Sequence, residues 1–240
     1  MRTIRQVTTV IAALGLFIGA AVANASVVDL TTSPSSGSIG VVNFSTNDQH
    51  PTGTGYINPF LRIQKEGTES GYNTDAQKPP LDDKASIYTH SLLLSNLVAT
   101  DGYYKFLLDI NQTDHNPLLD LTDVKLFVGG TGDSSKPNFT DLGEQIWGFS
   151  SGDVVHMNYD LNPGSGWGDI YMYVPTSLFT GKSGYFTLYS EFEGANDGFE
   201  EWAAMTSNPP PVPEPGTFLL LGTGFLGLAV FSKRRRNNAA

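Results

Sequence analysis

Alternation with a period of two is the feature that most narrows what this chain can fold into. Between residues 103 and 110, Tyr104, Phe106, Leu108 and Ile110 alternate with Tyr103, Lys105, Leu107 and Asp109, and the run ends in polar Asn111-Gln112-Thr113-Asp114. Successive side chains of a strand point to opposite faces, so such a run offers one apolar side to a core. Comparable runs cover residues 39–46, 87–98, 124–128, 154–161, 170–174 and 185–192. Turn signals separate them: Asp101-Gly102, Gly129-Gly130, Asn162-Pro163-Gly164 and the segment 181–184. No long stripe of helical period is present. The expected fold is therefore all-β: an antiparallel β-sandwich, jelly-roll-like or immunoglobulin-like, over residues 26–207, with a helical turn at 175–179. Residues 48–83 are the least patterned. A loop of that length in a compact domain is either functional or poorly ordered.

Composition narrows the chemistry. The chain has no cysteine and four histidines, which excludes disulfide scaffolds, thiolate metal centres and cysteine nucleophiles, and leaves little for zinc or haem. Six of the fourteen Lys and Arg residues lie at the two ends, so residues 26–213 hold eight basic against 23 acidic side chains, a net of −15. A body that acidic does not bind nucleic acid through its phosphates. Divalent cations, neutral sugars and other proteins fit it better.

Both ends read as addresses. Residues 1–25 carry Arg2 and Arg5, an apolar stretch from Val7 to Val22, and Ala23-Asn24-Ala25, the small-x-small pattern of a signal-peptide cleavage site. An N-terminal signal helix and a mature start at Ser26 are expected. At the other end, the proline-rich stretch 208–216 must be extended, because consecutive prolines remove donors and disfavour helix. Residues 217–231 follow without a charge, and a basic tail, 232–240, holds Lys233, Arg234, Arg235 and Arg236. As a helix those fifteen apolar residues reach about 22 Å, short for a hydrocarbon core of about 30 Å, so the span needs flanking residues to snorkel or the bilayer to thin. The arginines then stay on the cytoplasmic side.

Val212, Pro213, Glu214 and Pro215, the short leucine- and glycine-rich span and the terminal basic cluster together resemble the C-terminal sorting signal of bacterial PEP-CTERM proteins. Gly216 departs from the serine or alanine frequent in that family. The resemblance implies export, retention at the membrane by the tail, and processing near Pro-Glu-Pro by a membrane enzyme called exosortase. It further implies a cell-surface or extracellular-matrix destination in a bacterium that makes exopolysaccharide. Segments 106–112, 161–174 and 196–202 look like stretches recurring in exported domains that carry this tail. Those domains supply no functional residue to carry over.

Within the body, Asp109, Asn111, Asp114 and Asn116 put four oxygen donors just past a strand, the ligand chemistry that calcium prefers. Asp and Asn are equally ordinary turn residues that cap their own backbone. Trp147, Trp167, Tyr171 and Tyr173 are flat faces on which a sugar can stack, with burial in the sheets as the competing role. Tyr171 and Tyr173 lie opposite Ile170, Met172 and Val174, so one of these two sets faces out. Gly148-x-Ser150-x-Gly152 lacks the strand-to-helix context of a nucleophile elbow. Glu191 and Glu193 share a strand face, where solvated glutamates are commoner than an acid and base pair. The reading is a non-enzymatic, exported surface protein in a structural or adhesive role, with a carbohydrate-binding module as the alternative and a polysaccharide hydrolase as the third. In cells with a working exosortase the body is expected to part from the tail, a mass change visible on an immunoblot. Persistence of the intact tail there would overturn the sorting assignment.

Overall fold

In a computed structural model the described residues are 25–47, 59–85, 87–164 and 168–204. The expected signal segment (1–24 of it), Trp167, the proline-rich stretch and the whole C-terminal tail lie outside them. The described strands begin with β1 (Val27–Leu30), β2 (Ser36–Ile39), β3 (Val42–Thr46), β4 (Pro59–Ile63), β5 (Gly67–Tyr72), β6 (Leu92–Leu93) and β7 (Ala99–Thr100). They continue with β8 (Tyr103–Asp109), β9 (Leu118–Gly130), β10 (Gly143–Gly148), β11 (Val154–Asn158), β12 (Ile170–Pro175), β13 (Tyr185–Ala195) and β14 (Glu200–Ala204).

The fold is all-β, two sheets enclosing one core. Sheet 1 runs β1-β11-β9-β13-β5, and sheet 2 runs β2-β3-β12-β8-β14-β4. The pairs are antiparallel except β1 with β11. Along one edge of β9, β11 pairs with Leu118–Leu121 and β10 with the stretch from Lys125 to Gly129. The far edge of β13 is shared in the same way by β5 and β6. Leu119, Leu121, Val124, Leu126 and Val128 of β9 are buried, and the change of parity after Leu121 falls at a bulge. Glu191 pairs with Asp123 and Phe192 with Leu121, which leaves Thr122 as the extra residue, its hydroxyl donating to Glu191 O at 3.3 Å.

Sheet 2 contributes Phe44, Phe106, Leu108, Met172, Val174 and Trp202 to the same core. Trp202 is fully buried and donates its Nε1–H to Ser190 Oγ of sheet 1 at 3.0 Å, so its one polar atom is satisfied between the sheets. Phe106 and Phe186 stack at 5.1 Å across the same gap.

Three expected strands are interrupted. Residues 87–98 form only β6 and a 3-10 turn at Leu94–Asn96, because Leu92, Leu94 and Leu97 fill the core from a bent path while Ile87 stays exposed. The 39–46 run breaks at Gly40-Val41 into β2 and β3, with Val41 turned to solvent. The 154–161 run ends in a 3-10 turn, Tyr159–Leu161, whose Asn158 side chain accepts from Asp160 N. The turn expected at 175–179 is present at Thr176–Phe179. Within 48–83, the described part is not a long loop, since it holds β4 and β5.

The two edge strands β4 and β5 are bridged by the segment around Asp82. Gln64 N donates to Asp82 O, Lys84 N to Arg62 O, and Asp82 N to Ser70 O. The segment thereby gives backbone partners to both sheet edges at once. Asp83 pairs with Ile63 and packs under Gly71, where a Cβ would come within 2.8 Å of Asp83 Cβ. Asp83 is 4% exposed and neither of its oxygens makes a well-formed hydrogen bond, so desolvation pushes its carboxyl up to about 7. An acid whose folded value is raised gives stability that is whole below the unfolded value near 4 and lost as pH rises through about 7. Asp83→Asn should therefore raise the thermal midpoint at pH 8, with the gain shrinking toward pH 4. A gain independent of pH would contradict this assignment.

Candidate functional site

The outer faces of the two sheets differ. Over sheet 1, Tyr72, Phe127, Leu142 and Tyr189 form a second apolar cluster against which Phe139 and Leu81 pack. The loop between β9 and β10 is fastened there: Tyr72 donates its hydroxyl to Ser134 Oγ at 3.2 Å and Lys136 O at 3.1 Å, and Thr74 donates to Ser134 O at 2.7 Å. Sheet 2 leaves an aromatic outer face. Because Ile170, Met172 and Val174 point into the core, Tyr171 and Tyr173 of β12 point away from it. The same alternation turns Tyr103 and Lys105 of β8 outward, since Tyr104 packs against the core and Phe106 lies in it.

The register sets these side chains side by side. Tyr173 pairs with Lys105 on one edge and with Asn43 on the other, and Ser38 pairs with Asn43 in turn. An open groove of about 670 Å³ results, walled by Tyr103, Tyr173 and Lys105 on one side and by Ser36, Ser38, Asn43 and Ser45 on the other. Tyr103 and Tyr173 meet edge to face at 6.4 Å, and Tyr171 tilts against Tyr173 at 6.0 Å. The Lys105 ammonium sits over the Tyr171 ring at 3.4 Å from its centroid and 5.5 Å from that of Tyr173, a cation–π contact that holds the charge beside the aromatics. Thr100 and Asp101 also line the groove. The arrangement combines ring faces with hydroxyl, amide and carboxylate groups, which can engage a ligand that has both apolar faces and hydroxyls.

Trp147 does not join this groove. It lies on β10 of sheet 1 and packs edge to face on Phe149 at 5.6 Å, partly buried against the core. Trp167 lies outside the described residues. Glu191 and Glu193 are on the outer face of sheet 1, where Glu191 Oε2 accepts from the Tyr189 hydroxyl at 2.9 Å. Ser150 sits in a tight turn between strands, its backbone N–H donating to Asp153 Oδ2 at 2.7 Å.

The four oxygen-bearing residues at and beyond the end of β8 occupy different settings. Asp109 is fully buried and accepts from Gly168 N at 3.4 Å, whereas Asp114 and Asn116 are exposed on the turn. Asn111 donates to Phe199 O at 3.1 Å, and Asn116 O accepts from Asn196 Nδ2 at 2.8 Å. Beside Asp109, Asp169 is 3% exposed and accepts from Ile110 N at 2.8 Å. Burial raises the Asp169 carboxyl well above its usual range, and the Asp109 charge adds to that. Among the described residues no group of three or more His, Cys, Asp or Glu side chains is placed to hold one metal ion.

Sequence patterning did not single out the serine and asparagine wall of the groove, or Tyr103 and Lys105 as partners of Tyr173. The usable signal is the set that alternates with the core positions of β8: Tyr103, Lys105 and Leu107. What it lacked was the neighbour, because the β3–β12 and β12–β8 pairings are non-local.

The chain carries the PEP-CTERM protein-sorting motif, whose family model matches residues 211–236. That motif implies an exported protein, transiently anchored at the membrane and processed by an exosortase, and here it follows a β-rich body. No curated protein and no solved structure matches the chain. Among the described residues no helix is long and apolar enough to cross a membrane.

The turn between β13 and β14 packs on the turn after β8, and Gly198 allows it. Its φ is +62°, and a Cβ there would lie 2.3 Å from Asn111 Cβ. Gly198→Ala combines left-handed backbone strain of about 1–3 kcal/mol with that clash. It should lower the urea midpoint clearly, and an unchanged midpoint would show that the two turns do not pack this way.

Proposed function

We propose that the chain is exported under an N-terminal signal peptide (residues 1–25), held by a short transmembrane segment (217–231) with a cytoplasmic basic tail (232–240), and cut near Pro213-Glu214-Pro215. Its β-sandwich body then joins the cell surface or the exopolysaccharide matrix as a non-catalytic adhesive protein. The groove on sheet 2 carries the adhesive part of this reading. A pyranose ring has an apolar C–H face and a rim of hydroxyls, and Tyr103 and Tyr173 can supply the stacking surface. Ser36, Ser38, Asn43 and Asp101 can supply the rim. An open groove on a sheet face suits a long chain, which can enter and leave without threading an end.

Net charge supports a neutral polysaccharide. A body of net −15 repels polyanions at long range, and within the groove Lys105 is set against tyrosine rings and shares the lining with Asp101. Affinity electrophoresis of the full chain in detergent, through gels cast with neutral polysaccharides, tests the proposal. The protein should be retarded in at least one gel, and Tyr173→Ala should run as in the blank gel with its circular dichroism unchanged. If the wild-type chain is retarded by none, or Tyr173→Ala is retarded equally, the groove is not the adhesive surface.

A further inference from the structure

The most demanding pair of side chains in this sandwich lies inside it. Glu69 on β5 is paired in register with Phe192, and Glu200 on β14 with Ile63. Phe192 and Ile63 are fully buried core residues, so the two glutamates point into the gap between the sheets, 1% and 0% exposed. Their carboxyl groups are within hydrogen-bonding reach of each other. Glu69 Oε2 accepts from Lys65 N at 2.5 Å, and Glu200 Oε1 accepts from Gln112 Nε2 at 3.1 Å. Three oxygens then make no well-formed hydrogen bond, Glu69 Oε1, Glu200 Oε2 and Gln112 Oε1, while the Asn111 backbone N–H also acts on the Glu200 carboxyl. Gln112 is itself 4% exposed, and its amide lies against the Glu200 carboxylate.

Buried carboxylates without a donor are expensive, and the usual remedies are a basic partner, a proton or a metal ion. No Lys or Arg side chain bonds to this pair among the described residues. Lys84 and Asp82 act on Glu69 through their charges, in opposite directions, and Lys65 Nζ turns to Asp82 at 3.4 Å. Desolvation pushes both carboxyls above their usual range, so the bare pair holds its charge poorly.

We propose that Glu69, Glu200 and the Gln112 amide oxygen form a buried calcium site that clasps the two sheets together at their β5 and β14 ends. The donors are all oxygen, the choice of a hard cation, and two carboxylates with one amide leave room for the carbonyls and waters that complete six to eight ligands. Magnesium fits less well, because it keeps most of its own water and demands octahedral geometry. A way in exists. An open cleft of about 320 Å³ is lined by Gln64, Lys65 and Glu66 from the turn before β5, and by Asn196, Asp197 and Gly198 from the turn before β14. The site is distinct from the exposed turn bearing Asp114 and Asn116, although that turn follows Gln112 directly.

The test uses the full chain in detergent, stripped with EDTA and titrated with calcium chloride, with heat of binding and thermal midpoint as readouts. Wild-type protein should bind calcium and gain several degrees, since an ion bound only by the folded state must raise the midpoint. Glu69→Gln is the variant of choice because its amide can donate to Glu200 and satisfy the pair without metal. It should remain folded, match or exceed the stripped wild type in midpoint, and lose the calcium response. Absence of heat and shift in the wild type at about 10 mM, above the ~0.1–1 mM range of extracellular calcium modules, would overturn the proposal and leave a shared proton between the carboxyls. A calcium shift that survives in Glu69→Gln and in Glu200→Gln would also overturn it, by placing the ion elsewhere.

Discussion

Register between β9 and β13 governs which side chains of sheet 1 meet the core: β11, β10, β5 and β6 are each added to one or other of these two, and β1 follows on β11. The pairing runs from Tyr185 opposite Gly130 to Glu193 opposite Asp120. A slip of one residue would turn Phe186, Leu188 and Phe192 outward and bring Glu191 inside, which no local gain could offset. The bulge at Thr122 lets both halves of the long β9 present leucine and valine to the same side. It also lets β9 hold two different partners, β11 and β10, on its other edge. Sheet 2 is then fixed against this surface by aromatic contacts such as Phe106 on Phe186 and by the Trp202 indole reaching Ser190.

With the inner faces committed, the outer faces are what remains for function, and they are treated differently. Sheet 1 is roofed by the loop that carries Ser134 and Phe139. On sheet 2 the alternation of β8 and β12 brings tyrosines and Lys105 out beside a polar wall from β2 and β3. The core and the groove are therefore two sides of one pattern: Met172 and Val174 anchor the strand whose other face displays Tyr171 and Tyr173. A substitution that loosens the inner set would blur the outer one.

The parts of this architecture that sequence reveals are those whose core-facing positions are apolar. β8, β12 and β13 announce themselves, and the outward choice for Tyr171 and Tyr173 follows from Ile170, Met172 and Val174. β5 does not, since its inward positions are Glu69 and Gly71, while its large side chain, Tyr72, serves the outer cluster. β14 is obscured in the same way by Glu200. The acids that hide these strands from a hydrophobic pattern are the ones that meet in the interior. Glu200 stands in the sequence beside Asp197 and Glu201, but its partner lies 131 positions earlier in the chain, and only the sheet packing joins them. The groove has the same limit: Tyr173 and Lys105 are legible one by one, whereas their serine and asparagine neighbours come from strands more than fifty residues away.

Address and body obey opposite physical rules in this chain. The sorting motif works as a linear string, Pro-Glu-Pro followed by an apolar stretch and arginines, and its information survives without any fold. The body carries its information in pairings between distant strands, so it must be folded before the groove exists. A protein that folds outside the cytoplasm does so where calcium is abundant, and an interior carboxylate pair can wait for an ion that the cytoplasm keeps scarce. Such a pair would leave the sandwich weakly closed at the β5 and β14 ends until export and tighten it afterwards. The acid pair that makes those strands hard to see in the sequence would then tie the assembly of the sandwich to its destination.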